Sequence, residues 1–311
     1  MRYRRIAYQA AALAAVLMVG GFLVANTVSN LEERRIASGF GFLGREAGFE
    51  IGESAFLRYS ASDTYLRALL VGLTNTLAVA LIGIVLATGL GTLIGLSRLS
   101  KNFLLQKLSG AYVEFIRNVP LLVQLFFWYA VITETLPGPR EALSPLPGVF
   151  LSNRGIFFPS FSGAPELQGF NFTGGAVLTP EFAALLIGLA VYTAAFIAEI
   201  VRAGILAVDR GQFEAAHALG LSRAATMRRI ILPQALRVIV PPMTSQYLNL
   251  TKNSSLAVAI GYPDLVSIAN TTMNQTGQAI EGVAVIMAVY LTISLSISAL
   301  MNWYNARVAL R

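Results

Sequence analysis

Long apolar runs alternate with short polar segments along the chain, and their spacing sets the predicted elements. Runs with little charge cover about 7–27, 68–97, 112–135, 181–207, 234–250 and 282–305. Each is about as long as a helix needs to cross the hydrocarbon core of a bilayer. The fifth is the weakest, because Pro233, Pro241 and Pro242 interrupt it. An apolar stretch at 256–268 follows it and suits a segment that re-enters the membrane rather than crossing it. The pattern predicts an all-α polytopic membrane protein with about six transmembrane helices. Its first run, in "MRYRRIAYQAAALAAVLMVGGFLVANT", is apolar from Ile6 to Ala25. That is longer than the roughly 7–15 residues of a secretory h-region, so it reads as a retained signal anchor.

The segments between the runs differ in kind. Residues 28–66 mix glycine, charge and aromatics, whereas 136–180 open on "LPGPREALSPLPG". So much proline and glycine excludes long helices, and an irregular cap over the outer mouth is expected there. Placing both termini inside puts fifteen of the 23 basic residues on the inner side, including Arg98, Lys101, Lys107, Arg202, Arg228, Arg229 and Arg311. That bias has the sign of the positive-inside rule. Gly91 and Gly95, and again Ser294 and Ser298, repeat the small-xxx-small spacing at which helix backbones approach closely.

Composition narrows the function. The chain is 55% hydrophobic and 13% charged, against about 25% charge in a soluble domain. It has no cysteine and one histidine, so thiolate chemistry, disulfides and the usual zinc sets are excluded. The net charge of +7 fits basic inner loops better than nucleic-acid binding. No G-x-x-x-x-G-K-[ST] phosphate cradle occurs, and no constellation of catalytic residues faces a common site.

One inner segment stands apart: "FEAAHALGLSRAATMRRIILPQA", residues 213–235. Its first part is rich in helix formers, Gly220 is a helix stop, and Leu221-Ser222 can cap a second helix running to about 232. Pro233 suits the first turn of a further helix. A short helix across the inner face, with small residues at Ala215, Ala216 and Gly220, is suited to dock into another protein.

The spacing of Glu214-Ala215-Ala216, Gly220, Ile230 and Leu232-Pro233, seven positions over 20 residues, resembles the EAA loop of the membrane subunits of bacterial ABC importers. The stretches "TNTLAVALIGIVLATGLGTLIGLSRLS", "YVEFIRNVPLLVQLFFWY", "YTAAFIAEIVRAGI" and "LPQALRVIVPPMTSQYLNLTKNSSLAVAIGYPDL" resemble polar amino acid permeases of that class. The loop "GFGFLGREAGFEIGES" and the extra first span are similar to the general L-amino-acid permease branch. His217 is a departure, standing where that loop often has arginine.

The resemblance implies a type I importer permease fold, with an N-terminal helix and periplasmic loop over 1–66 and a five-helix core over 67–311. Within the core lie a coupling loop at 209–233 and a periplasmic insertion at 136–180. It implies that Glu214, Ala215, Ala216, Gly220, Leu221, Ile230, Leu232 and Pro233 couple the chain to a separate ATPase dimer. ATP and Mg would be bound there and no cofactor by this chain. It further implies a second permease subunit, homologous or identical, a periplasmic amino-acid-binding protein and the bacterial inner membrane. It places the substrate pathway at Tyr192, Thr193 and Ala194 together with Asn253 and Ser254.

Polar groups within the spans are costly and so need a reason. Glu114 and Arg117, and Glu199 and Arg202, each lie three apart on one helix face near the membrane edge. They suit either a gate or lock between helices, or pairing within each helix. Residues 243–257, with Gln246, Asn249, Asn253 and Ser254, follow Pro241-Pro242. A helix broken there would present a half-helix N-terminus, capped by Asn253 or Ser254, to a substrate carboxylate. Asn253 in place of a carboxylate points to broad or neutral-to-polar amino acids. Two alternatives stay open: a permease for another small solute, such as opines or one acidic amino acid, and an ion-coupled secondary transporter. The latter needs a titratable group at mid-span, and the spans offer none.

Overall fold

The computed structural model describes residues 2–33, 38–54, 56–160 and 163–309; Arg311 and residues 34–37, 55 and 161–162 of the two outer loops lie outside them. Ten α-helices carry the described chain: α1 Arg2–Glu33, α2 Tyr65–Ser97, α3 Phe103–Asn118, α4 Leu121–Ala130, α5 Pro180–Leu206, α6 Arg210–Ala218, α7 Arg223–Thr226, α8 Leu232–Asn253, α9 Leu265–Thr276 and α10 Ala279–Ala309. The end that carries α6 is termed inner and the opposite end outer.

α5 is the hub. It packs against α2, α3, α4 and α8, and 67% of its apolar window is buried, against 28% for α2 and none for α1 and α10. Apolar side chains gain little by leaving lipid for a helix interface, so close fit decides which helices pair. Gly91 and Gly95 supply that fit. A Cβ on Gly91 would lie 2.7 Å from Cβ of Ile197 and 2.8 Å from the Ala194 carbonyl oxygen, and one on Gly95 2.7 Å from the Ala198 carbonyl oxygen. Backbone and a β-branched side chain cannot yield. Gly91→Val is therefore expected to cost about 1–3 kcal/mol, read as a lower unfolding midpoint in detergent; an unchanged midpoint would refute this packing. Ser294 and Ser298 are half-buried on α10, which packs against α8 and α9.

Of the six expected spans, four, on α1, α2, α5 and α10, are single helices long and apolar enough to cross a membrane; the third is a bent pair, and the fifth, α8, does not reach that measure. The run 112–135 is not one rod: α3 and α4 meet at 104°. Pro120 forces Val119 into an extended conformation (φ −98°, ψ 126°), which ends α3. α4 then continues through a π turn over Val131–Thr135. The prolines of the fifth run do not break it, and α8 passes through Pro241-Pro242 as a single helix.

The stretch after α8 forms a 3-10 helix, Ser254–Ile260, ended by Gly261 in the left-handed region (φ 79°). Asp264 then caps α9, its carboxylate accepting from the Ser267 N–H at 2.8 Å. This turn reaches into the bundle. Asn75 Nδ2 donates to the Pro263 carbonyl at 3.0 Å, and the Leu265 N–H donates to Thr76 Oγ1 at 3.1 Å. Asn75 and Thr76 lie ten and eleven residues into α2, roughly 15–17 Å from its outer end.

The outer insertion is regular, not irregular. Strands β1 Leu143–Leu146, β2 Val149–Ser152, β3 Gly155–Phe158, β4 Glu166–Gln168, β5 Asn171–Thr173 and β6 Ala176–Leu178 make an antiparallel sheet in the order β1-β2-β3-β6 and a separate β4-β5 hairpin. The residues that exclude helices supply the turns: Gly148 takes φ 77° between β1 and β2. Phe172 of β5 stacks on Phe150 and Phe157 at 4.6 and 4.8 Å between ring centroids, so the hairpin packs on the sheet through aromatics.

Candidate coupling and transport site

The inner end is built around α6. Asp209 caps it, a carboxylate oxygen accepting from the Gly211 N–H at 2.6 Å, and nine residues later it stops. The stop is a Schellman motif. The Leu221 N–H bonds the Ala216 carbonyl at 3.1 Å and the Gly220 N–H bonds that of His217 at 3.0 Å, with Gly220 at φ 72°. Ala216 is buried, whereas Glu214, Ala215, His217, Leu219 and Gly220 are exposed. Leu219 is 79% exposed, an apolar side chain left uncovered among the described residues.

Ser222 caps α7, its hydroxyl accepting from the Ala225 N–H at 3.3 Å. The second helix does not end at 232. A π turn over Met227–Ile231 joins α7 to α8, with the Leu232 N–H reaching the Met227 carbonyl five residues back. Pro233 has no N–H to offer residue 229, and the wider turn absorbs the missing bond. Ile230 is half-buried beside the fully buried Ile231, while Leu232 and Pro233 are exposed. The spacing of the segment thus resolves into a short exposed helix, a glycine stop and a continuous rod into the bundle.

Of the two expected charge pairs, one forms. Glu199 Oε1 accepts from Arg202 Nη2 at 2.5 Å and its Oε2 from Arg202 Nε at 3.3 Å. It also pairs with Arg98 at the inner end of α2, so the contact is both within α5 and between helices. Sequence reading missed Arg98, because its partner is 101 residues away. Glu114 and Arg117 are exposed and form no ion pair among the described residues. Arg117 instead lies over the Phe196 ring at 5.0 Å, and that ring meets Tyr192 at 5.0 Å.

The substrate-pathway set is divided. Thr193 and Ala194 are buried, Ala194 beneath the crossing with Gly91. Tyr192, Gln246 and Asn253 are half-buried and Asn249 is exposed. No half-helix begins at Asn253 or Ser254. Asn253 ends α8, and the buried Ser254 donates to the Thr251 carbonyl at 2.7 Å. The hydroxyls of Thr244, Thr251, Ser254 and Ser255 bond back to carbonyls of the preceding turn, and the next helix N-terminus is that of α9, capped by Asp264.

At the outer end one carboxylate ties separate segments together. Glu53 accepts from the Thr179 hydroxyl, the cap of α5, at 2.8 Å, and its backbone carbonyl accepts from Asn75 Nδ2 at 2.9 Å. Burial raises the Glu53 pKa above its ordinary value, the Thr179 bond opposes this, and Glu181 adds to it. A raised carboxyl pKa gives stability that is fully present below the unfolded value and lost as pH rises through the folded one. Glu53→Gln is expected to flatten the fall in unfolding midpoint between acidic and neutral pH. Identical pH profiles for the two proteins would show that Glu53 does not titrate in this way.

Residues 87–310 match the model of the binding-protein-dependent transport system inner membrane components. The putative amino-acid ABC transporter permease protein YhdX of Escherichia coli K12 is 48% identical, over 97% of this chain and 93% of that protein. The general L-amino acid transport system permease protein AapQ of Rhizobium johnstonii is 44% identical, over 99% of this chain and 93% of its own. A chain from a crystal structure of an amino acid ABC transporter with histidines superposes with a TM-score of 0.60 at 29% identity, covering 78% of this chain and 95% of that one.

Proposed function

The chain belongs to the family of binding-protein-dependent transport system inner membrane components, and from that premise we propose how it serves as the transmembrane subunit of an amino acid importer. The relatives are permeases of amino acid ABC transporters, one of them for general L-amino acids. The substrates assigned to this chain are L-amino acids of broad, neutral-to-polar range, moved from periplasm to cytoplasm.

The observation that carries the reading is α6: a capped nine-residue helix, closed by a left-handed glycine and exposed at the inner end. It docks on an ATPase subunit, where ATP and Mg are bound. Glu214, Ala215 and Gly220 face that partner, while Ala216, Leu221 and Ile230 hold α6 to the rod that begins at α7. When the ATPase dimer closes, α6 moves with it, and α7, the π turn and α8 carry the displacement into the bundle. The Glu199 contacts with Arg98 and Arg202 hold α2 to α5 in one arrangement, and the cycle shifts the population away from it. Tyr192, Gln246, Asn249 and Asn253 line the path against a second permease subunit. The β cap and the loop around Glu53 face a periplasmic binding protein. Both termini are cytoplasmic.

Reconstitution tests this. The chain should copurify with an ATPase subunit, and proteoliposomes of the complex should take up L-amino acids only with ATP and a binding protein. Uptake that persists without ATP, or driven by an ion gradient alone, overturns the reading.

A further inference from the structure

A cavity of about 450 Å³ lies at the inner end, between α3 and the ends of α2 and α5, and transport as described draws on the Glu199 contacts beside it but assigns the space itself no occupant. Arg98, Lys107 and Arg202 line it, with Glu114. Arg98 spends only Nη1 on Glu199, and Arg202 only Nε and Nη2. Their other side-chain nitrogens make no hydrogen bond among the described residues, nor does Lys107 Nζ, which lies over the Phe103 ring at 5.7 Å and keeps its N–H donors for a ligand. Three cations stand against the two carboxylates Glu114 and Glu199, so the site has one positive charge in excess.

The second observation is α3 itself. It turns away from α4 by 104° and presents three faces. Ser109 and Val113 are buried against the bundle. Gln106, Lys107, Gly110 and Glu114 face the cavity. On the adjoining edge Leu104, Leu108 and Phe115 are 63%, 62% and 68% exposed, at the i, i+4 and i+11 spacing of a single strip.

The geometry points to an anionic phospholipid of the adjoining leaflet as the occupant. Its phosphodiester, a monoanion, matches the one excess charge and the free guanidinium and ammonium donors. Its acyl chains lie along the Leu104–Leu108–Phe115 strip. A free phosphate or a partner's carboxylate would satisfy the cations and leave that strip bare. The assignment does not depend on which amino acids are carried.

The test is lipid retention by the intact transporter complex, purified from nanodiscs of mixed phosphatidylglycerol and phosphatidylcholine and weighed by native mass spectrometry. The wild type should retain phosphatidylglycerol in preference to phosphatidylcholine. Lys107→Gln should lower that retention roughly fivefold, the effect of one lysine near an anionic surface. Leu108→Asn should lower it too with the charges intact, and Lys101→Gln, outside the cavity, should not. The proposal is overturned if the Lys107 and Leu108 variants both retain as much phosphatidylglycerol as the wild type, or if the two lipids are held equally. It is equally overturned if excess inorganic phosphate strips the lipid from the wild type.

Discussion

Gly220→Leu is expected to uncouple ATP hydrolysis from transport while the chain still folds and inserts. Gly220 takes φ 72°, and holding a leucine there costs about 1–2 kcal/mol, a roughly tenfold loss of the docking-competent form. Bulk is a separate matter. Nothing among the described residues lies within 4 Å of a Cβ placed on Gly220, so added atoms collide only with a partner seated on α6. Gly220→Asn separates the two effects, since asparagine tolerates the left-handed region. If the surface beside Gly220 is in the docking contact, Asn also uncouples, with an unchanged unfolding midpoint. Measured ATPase activity and uptake decide it. If the leucine variant transports normally, the docking role of α6 fails.

The second large effect is expected at Glu199. Glu199→Gln removes the carboxylate shared by Arg98 and Arg202 and leaves two half-buried guanidiniums facing one another. A hydrogen bond to a charged group contributes about 1.5–3 kcal/mol, and the partial exposure of this cluster places the loss near the lower end. An Arg98→Ala/Glu199→Ala double-mutant cycle should show a coupling of about 1 kcal/mol, since the contact joins α2 to α5. Basal ATPase activity should rise as the arrangement shown here loses its hold. Glu114→Gln, a change at a residue with no ion pair among those described, should leave stability unchanged. A coupling of zero would reduce the Glu199 contacts to a pairing within α5.

The four single spans were legible because crossing a bilayer demands only length and apolarity, and hydropathy measures both. What hydropathy does not register is backbone direction. The run through Asn118-Val119-Pro120 stays apolar across a 104° elbow, although the proline itself was the available sign. The cap strands hold three or four residues each, too few for a period of two to emerge from a Pro- and Gly-rich stretch. The polar cluster at 243–257 suggested a broken helix, yet Ser254 and Ser255 spend their hydroxyls on carbonyls of the preceding turn. The true cap was visible nearby: Pro263-Asp264 before an apolar stretch is an N-cap signature. Asn75, polar inside an apolar run, was likewise a signal, and it marks where the α9 turn meets α2. Arg98 left no local trace, because pairing between helices has no period along the chain.

The π turn at Met227–Ile231 has a consequence for angular phase. An α-helix advances about 100° per residue, and a π turn takes in one residue more than an α turn. The azimuth of α6 about the axis of α8 is therefore set by a single additional residue. Had the ladder run as plain α-helix through 227–231, α6 would point about a quarter-turn away. The segment between Gly220 and Pro233 thus acts as an indexing joint. Its residue count, more than the identity of its side chains, determines which way α6 faces.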